Sequence, residues 1–192
     1  AATADTMGDL RIALDTLANH PNVGPFMATR LIQQFVTSNP SPQYVERVAR
    51  VFNNNGQGQR GDMGAVIRAV LTDAEARTAP AADNQTYGKL REPVIRMTNW
   101  MRAYGVTSAS GNWLLGNTSS NQSLGQTALA SPSVFNFWRP GFTPPSSTQL
   151  GSRNLRAPEF QIVDEVSIAG YVNTMQAAIQ NGVGGNFNGS PD

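Results

Sequence analysis

The sequence predicts an all-α fold, an irregular bundle of five to seven helices with a long polar loop and an extended segment rich in proline and glycine. Two observations lead to this prediction. Apolar residues recur at intervals of three and four residues, the period of an α-helix, through most of the chain. No stretch shows the two-residue alternation of a strand. At 192 residues the chain is long enough for one core, and we expect a single helical domain over residues 1–181.

Four short helices are predicted in the first half of the chain. Their apolar faces are Leu10, Ala13, Leu14 and Leu17; Ala28, Leu31, Ile32 and Phe35; Val45, Val48, Ala49 and Phe52; and Met63, Val66, Ile67 and Val70. Pro21 and Pro40 end the first two helices, because the residue before a proline avoids helical geometry. Ser41 and Asp62 are expected N-caps of the third and fourth, since their side chains accept hydrogen bonds from first-turn amides. The short connections imply antiparallel neighbours.

The second half is predicted to hold two longer helices separated by irregular chain. Helical periodicity covers residues 90–104 and 163–179, and Ser131 followed by proline indicates the start of a short helix. Residues 105–130 form a polar loop that is either a functional excursion or poorly ordered. Residues 139–158 are rich in Pro, Gly and Ser and predict a wrap with little regular structure. We expect a frayed tail over residues 182–192.

Composition and charge exclude several functional classes. A net charge of +1, from 14 basic and 13 acidic residues, provides no field that would attract a nucleic acid. Without cysteine there is no thiol nucleophile or thiolate metal site, and one histidine cannot build a multi-histidine site, so we expect no metal and no cofactor. No apolar run approaches the roughly 18 residues of a membrane span. The missing cysteine and the charge-free loop suggest a periplasmic or secreted protein.

Several short segments, in one order along the chain, resemble a single bacterial family. They are NHPNVGPF at 19–26, RLIQ at 30–33, TSNPSP at 37–42, VFNNNG at 51–56, RGD at 60–62, YGKLREP at 87–93, SPSVFNF at 131–137 and APEF at 157–160. The family is known as domain of unknown function 1800, and the resemblance covers roughly residues 9–165. It implies the C-terminal portion of a longer exported protein, so the chain is expected to be a fragment, a processed product or a separately made domain. The expected partner is another protein or the N-terminal part of that longer protein.

Three residues are candidates for catalysis, each with a structural alternative. His20 is the only histidine and so the natural general base, yet its place at a helix C-terminus before Pro21 favours a cap in which a ring N–H binds a carbonyl. Glu92 and Glu159 each lie beside a proline. They fit either an arginine–glutamate network that ties irregular segments to the helices or a pair of catalytic carboxylates.

Six residues are candidates for binding a ligand or a partner. Phe135, Phe137, Trp138 and Phe142 form an aromatic segment that either fills the core or provides an exposed platform. Arg30 and Arg91 are suited to paired hydrogen bonds with a carboxylate.

The loop over residues 53–62 resembles a calcium loop only superficially. It contains oxygen donors and three glycines, but Asp62 is its one carboxylate. Calcium loops of the helix-loop-helix type need several. A helix C-cap, a tight turn and an N-cap explain every residue.

The chain carries no complete catalytic constellation, and this favours a non-catalytic interaction or scaffold domain of an exported bacterial protein. The alternative is the C-terminal half of a hydrolase, or of a ligand- or carbohydrate-binding protein, whose site the missing N-terminal part completes.

Overall fold

The computed structural model describes residues 5–184, 186–187 and 190–191. In that part the helices are α1 (Thr6–Ala18), α2 (Val23–Phe35), α3 (Pro42–Asn53), α4 (Met63–Thr72), α5 (Ala74–Arg77), α6 (Pro93–Ala103), α7 (Gln149–Ser152), a 3-10 helix (Pro158–Ile162) and α8 (Glu165–Asn181). The only described strands have two residues each, β1 (Asn186–Phe187) and β2 (Ser190–Pro191), and they pair antiparallel. The all-α prediction is therefore confirmed. Part of the tail lies outside the described residues, and its fraying stays a prediction.

Contacts within the chain group it into two compact units, residues 1–89 and residues 90–192. Each unit has its own cluster of buried apolar side chains. The sequence predicts one domain over residues 1–181, and that prediction stays untested.

The core of the first unit lies between α2, α3 and α4, which pack against one another. Its buried side chains are Ala28, Ile32, Tyr44, Val48, Ala49, Phe52, Val66 and Val70. Complete burial of one large aliphatic side chain contributes about 1.5–3 kcal/mol, so this cluster stabilises the three helices against one another. All but Tyr44 belong to the apolar faces that the periodicity predicts.

Two predicted helix caps of the first unit are confirmed. Ser41 Oγ accepts a hydrogen bond from the amide of Tyr44 at 3.1 Å, and the helix begins at Pro42. Asp62 Oδ1 accepts from the amide of Ala65 at 3.0 Å. The pKa of Asp62 lies below its ordinary value because its carboxylate accepts hydrogen bonds from the side chain of Asn55 and from the amide of Ala65.

The second unit is built around α6, α8 and the loop between them. Met97, Met101 and Leu124 are buried, and Tyr171 and Met175 of α8 pack against them. Helix α6 begins at Pro93, three residues later than predicted, because the residue before a proline prefers extended backbone. Helix α8 begins with a capping box in which Asp164 and Ser167 bind each other's amides.

The structure corrects two details of the second unit. The short helix predicted from Ser131 is absent; residues 133–136 form a turn in which the amide of Asn136 donates to the oxygen of Ser133. Asn136 has a φ of 70°, which no right-handed helix tolerates. Helical periodicity over residues 163–179 also predicts a buried apolar face for α8, but three of its apolar residues, Ile168, Val172 and Ile179, are exposed.

Candidate functional site

His20 lies in the short connection between α1 and α2, where its ring and its main-chain oxygen both accept hydrogen bonds. Its Nδ1 accepts a hydrogen bond from the amide of Asn22 at 3.2 Å, so the ring is an acceptor where the sequence predicts a donor. Its main-chain oxygen accepts from Arg60 Nη2 at 3.1 Å. Among the described residues no carboxylate or hydroxyl forms a hydrogen bond with the ring.

Glu92 is bound by an amide, whereas the arginine–glutamate network, one of the two expected arrangements, would pair it with an arginine. Its Oε2 accepts a hydrogen bond from Nε2 of Gln126, a residue that is only 4% exposed. Gln126 Oε1 accepts in turn from the amide of Val94 at 3.2 Å. The buried glutamine thus joins the carboxylate to the first turn of α6. Glu92 Oε1 makes no hydrogen bond with a described residue.

Glu92 lines a pocket of about 320 Å³ between the start of α6 and residues 126–137. The pocket also contains Gln126, Asn136 and Phe137, so it unites one carboxylate candidate with one aromatic candidate. Leu129 stands at its edge with a φ of 62°. Left-handed backbone at a leucine costs energy that the surrounding structure must supply. Carboxylate, amides and ring are the groups that bind a polyol.

The other carboxylate candidate does not line this pocket. Glu159 is 2% exposed within the 3-10 helix, and the described lining of the pocket contains no second acid. A carboxylate pair across one cleft, the arrangement of glycoside hydrolysis, is therefore absent from it. Arg91 is exposed and forms no ion pair or hydrogen bond with a described residue.

The aromatic segment does not form one platform. Trp138 is 6% exposed and belongs to the interior, whereas Phe135 is exposed. Phe137 faces the Glu92 pocket. Phe142 is half-buried, and its main-chain oxygen accepts from the amide of Ala157 at 2.9 Å. Each ring thus has a different environment.

Arg30 takes part in the packing of α2. Its Nη1 donates to Gln33 Oε1 at 2.9 Å, and its guanidinium lies 5.2 Å from the ring centre of Phe26. Gln33 is buried and donates to the main-chain oxygen of Ser38 at 3.1 Å. These contacts hold the turn that follows α2.

The loop over residues 53–62 uses its oxygen atoms internally. Asn54 Oδ1 accepts from the amides of Gly56 and Gly58, and Asn55 Oδ1 accepts from those of Gln57 and Gln59. Within the described part of the chain there is no group of three or more residues suited to hold a metal ion. The loop is a helix-to-helix connection of the kind the sequence predicts.

Helix α1 presents the largest departure from the sequence prediction. None of its residues is buried, although periodicity predicts an apolar face inside the bundle. Met7, Leu10, Leu14 and Leu17 are each at least 50% exposed. Their spacing of three, four and three residues forms the seam of a two-heptad coiled coil. The face predicted from periodicity, Leu10, Ala13, Leu14 and Leu17, does not include Met7 and so does not show this spacing.

Helix α1 also carries a net negative charge. Outside the seam, residues 5–18 contain three aspartates, Asp5, Asp9 and Asp15, and one arginine, Arg11. A mainly acidic helix with an exposed apolar seam is complementary in net charge to a basic helix that has an apolar seam of its own.

One family model matches the chain, and it is described as a protein of unknown function (DUF1800), matching residues 1–188. Comparisons with curated proteins and with solved structures give no match. Over the described residues, no helix combines the length and apolar character that crossing a lipid bilayer requires. The family match spans nearly the whole sequence and agrees with the motifs at residues 19–62, 87–93 and 131–160. The chain therefore belongs to the DUF1800 family of proteins of unknown function.

Proposed function

We propose that this chain is a non-catalytic interaction domain that binds a basic helix of a partner protein through α1. The observation that carries the proposal is the exposed seam of Met7, Leu10, Leu14 and Leu17. A helix of 13 residues is marginal in water by itself, because most helical stability comes from packing of an apolar face. A partner helix on the seam supplies that packing.

The acidic character of α1 favours a basic partner over a second copy of this chain. Each copy of α1 carries three aspartates and one arginine over residues 5–18, so two copies have the same net negative charge. Two helices of the same net charge repel each other, whereas a partner helix made positive by lysine or arginine is attracted. Self-association is therefore the competing outcome of the test.

Peptide binding to the full chain tests this proposal. The probes are an amphipathic helical peptide of leucine and lysine and its counterpart of leucine and glutamate. We expect the lysine peptide to bind and to slow hydrogen exchange in α1, and the glutamate peptide to bind at least tenfold more weakly. Leu14→Asp abolishes binding because it places a charge in the seam.

Ile12→Asp is the matched control, since Ile12 lies on the opposite side of the same helix and is also exposed. It leaves lysine-peptide binding within about twofold of the wild type. Equal binding of the two peptides, or protection outside α1, contradicts the proposal.

A second candidate function rests on the Glu92 pocket. This pocket has the groups that bind a carbohydrate or another polyol. They are a carboxylate oxygen of Glu92 without a described partner, the amides of Gln126 and Asn136 and the ring of Phe137. On this proposal the pocket is one part of a larger site of a hydrolase or carbohydrate-binding protein. Titration with a set of neutral oligosaccharides tests it. Binding that Phe137→Ala and Glu92→Gln both weaken supports it, and binding that neither variant changes contradicts it.

We also propose a periplasmic or secreted location in a bacterium. The absence of cysteine and the charge-free stretch between Arg102 and Arg139 support it. Fractionation of the source cells tests it, because the protein is then expected outside the cytoplasmic fraction.

A further inference from the structure

A second pocket lies between the end of α6 and the polar loop of residues 105–130, whose role the sequence leaves open. It has a volume of about 310 Å³ and is lined by Thr98, Met101, Arg102, Val106, Trp113 and Leu115. Pockets that bind small molecules are typically apolar with a few polar groups that fix orientation, and they begin at about 300 Å³. This pocket has that composition.

The pocket wall formed by Trp113 is held in an unusual backbone conformation. Trp113 has a φ of 52°, a region that bulky side chains rarely adopt. Its amide donates to Ser108 Oγ at 3.3 Å, and its oxygen accepts from the amide of Leu115 at 2.8 Å. These bonds hold the indole against the pocket while 48% of the residue stays exposed. Strain of this kind concentrates at binding sites.

Arg102 places a positive charge at the rim of the same pocket. It forms no ion pair and no hydrogen bond within the described part of the chain. The end of α6 does not need it as a cap, because the amide of Gly105 donates to the oxygen of Arg102 and that of Val106 to the oxygen of Met101. The guanidinium is therefore available for a ligand.

We propose that this pocket binds a small apolar carboxylate, with its hydrocarbon or aromatic part against Trp113, Met101 and Leu115 and its carboxylate on Arg102. A guanidinium binds a carboxylate through two parallel hydrogen bonds, which gives both affinity and orientation. An uncharged ligand of the same shape uses only the apolar walls. This inference does not rest on the function proposed for α1.

Calorimetric titration of the full chain with phenylpropanoate and with phenylpropanol tests the site, because the two probes differ in charge and little in shape. We expect the acid to bind at least tenfold more tightly than the alcohol. Arg102→Gln removes that preference by weakening the acid about tenfold and leaving the alcohol unchanged, since it removes a charge-assisted hydrogen bond; a tenfold change corresponds to about 1.4 kcal/mol. Arg102→Lys keeps the charge and retains part of the preference.

Three further variants separate this site from nonspecific binding and from misfolding. Trp113→Ala weakens both probes by more than tenfold, because it removes the aromatic wall. Trp113→Phe keeps a ring and identifies the Trp113 indole signal in the NMR spectrum. Arg77→Gln, at an exposed arginine of α5 in the other unit, leaves both probes unchanged. Three results overturn the proposal: the acid and the alcohol bind with equal affinity, neither of them binds, or the acid shifts only the indole signal of Trp138.

Discussion

The guanidinium of Arg60 donates a hydrogen bond from Nη2 to the main-chain oxygen of His20 at 3.1 Å. Its Nε donates to the oxygen of Ala18, the last residue of α1, at 3.0 Å. The same group lies 5.0 Å from the ring centre of Phe52 in the core of the first unit. A helix that buries none of its own residues is thus held at its C-terminal end by one side chain from the connection between α3 and α4.

Arg60→Ala is expected to loosen α1 without unfolding the rest of the first unit. The substitution removes the donors at the end of α1, and that helix has no buried side chain to hold it. Hydrogen exchange measured by mass spectrometry should become several-fold faster in residues 6–18 and stay unchanged in α3 and α4. Arg50→Ala is the control, because Arg50 pairs only across one helical turn with Glu46. Equal acceleration in both variants contradicts the role given to Arg60.

Tyr44→Phe is expected to destabilise the first unit although it preserves the ring. Tyr44 is fully buried, and its hydroxyl donates to the main-chain oxygen of Val70. Removing the hydroxyl leaves that buried oxygen without its donor, which costs about 1–3 kcal/mol. Chemical denaturation gives the free energy of unfolding. Tyr104→Phe, at a tyrosine that is 76% exposed, should change that free energy by less than about 0.5 kcal/mol.

Burial also raises the pKa of Tyr44 above its ordinary value of 10.0, with the Asp73 charge adding to the effect. Because the folded-state pKa is the higher one, the stabilisation is complete below about pH 10 and is lost as the pH rises further. Wild-type stability should therefore fall in strong alkali more steeply than that of Tyr44→Phe. Parallel alkaline curves for the two proteins contradict this account.

Asp73→Asn is expected to flatten the loss of stability in acid. Asp73 receives two hydrogen bonds from Arg47, at 2.7 and 2.8 Å, and these chiefly hold its pKa below the ordinary value of 3.8. Because the folded-state pKa is the lower one, its contribution is present above pH 3.8 and is lost as the pH falls through the lowered value. Thermal unfolding of both proteins from about pH 6 to about pH 2 measures how their stability depends on pH. A wild-type curve as flat as that of Asp73→Asn contradicts the prediction.

Gly170→Ala is expected to separate α8 from the polar loop. An added Cβ at Gly170 would stand 2.4 Å from the main-chain oxygen of Asn121 and 2.7 Å from Cα of Gln122, so backbone must move. Overpacking of this kind costs about 1–3 kcal/mol. Gly141→Ala is the matched control, since no neighbouring atom lies within 4 Å of its added Cβ. Unfolding curves that show equal stability for the two variants contradict the close approach.

The features that local chemistry controls could be predicted from the sequence. Ser41 and Asp62 cap α3 and α4 as expected, because a cap depends on one side chain and the amides two or three residues later. The interior positions of α2, α3 and α4 follow from helical periodicity for the same reason.

What depends on distant neighbours could not be predicted from the sequence. The apolar residues of α1 do follow a helical period, but periodicity does not show whether the apolar face packs against this chain or against another protein. Glu92 binds Gln126, which is 34 residues away, and no spacing rule predicts a pairing of that kind. The turn at Ser133 shows local hydrogen bonding prevailing over a helix-start signal.

Site-specific photo-crosslinking in the cells that make the protein tests the central claim most directly. A photoreactive amino acid at Leu14 lies in the seam of α1, and one at Ile12 lies on the opposite side with similar exposure. We predict one discrete adduct from Leu14 and none from Ile12, with the captured peptide rich in lysine or arginine and helical in period. Equal labelling from the two positions, an adduct with a second copy of this chain, or no adduct from Leu14 would contradict the proposal that α1 binds a basic partner helix.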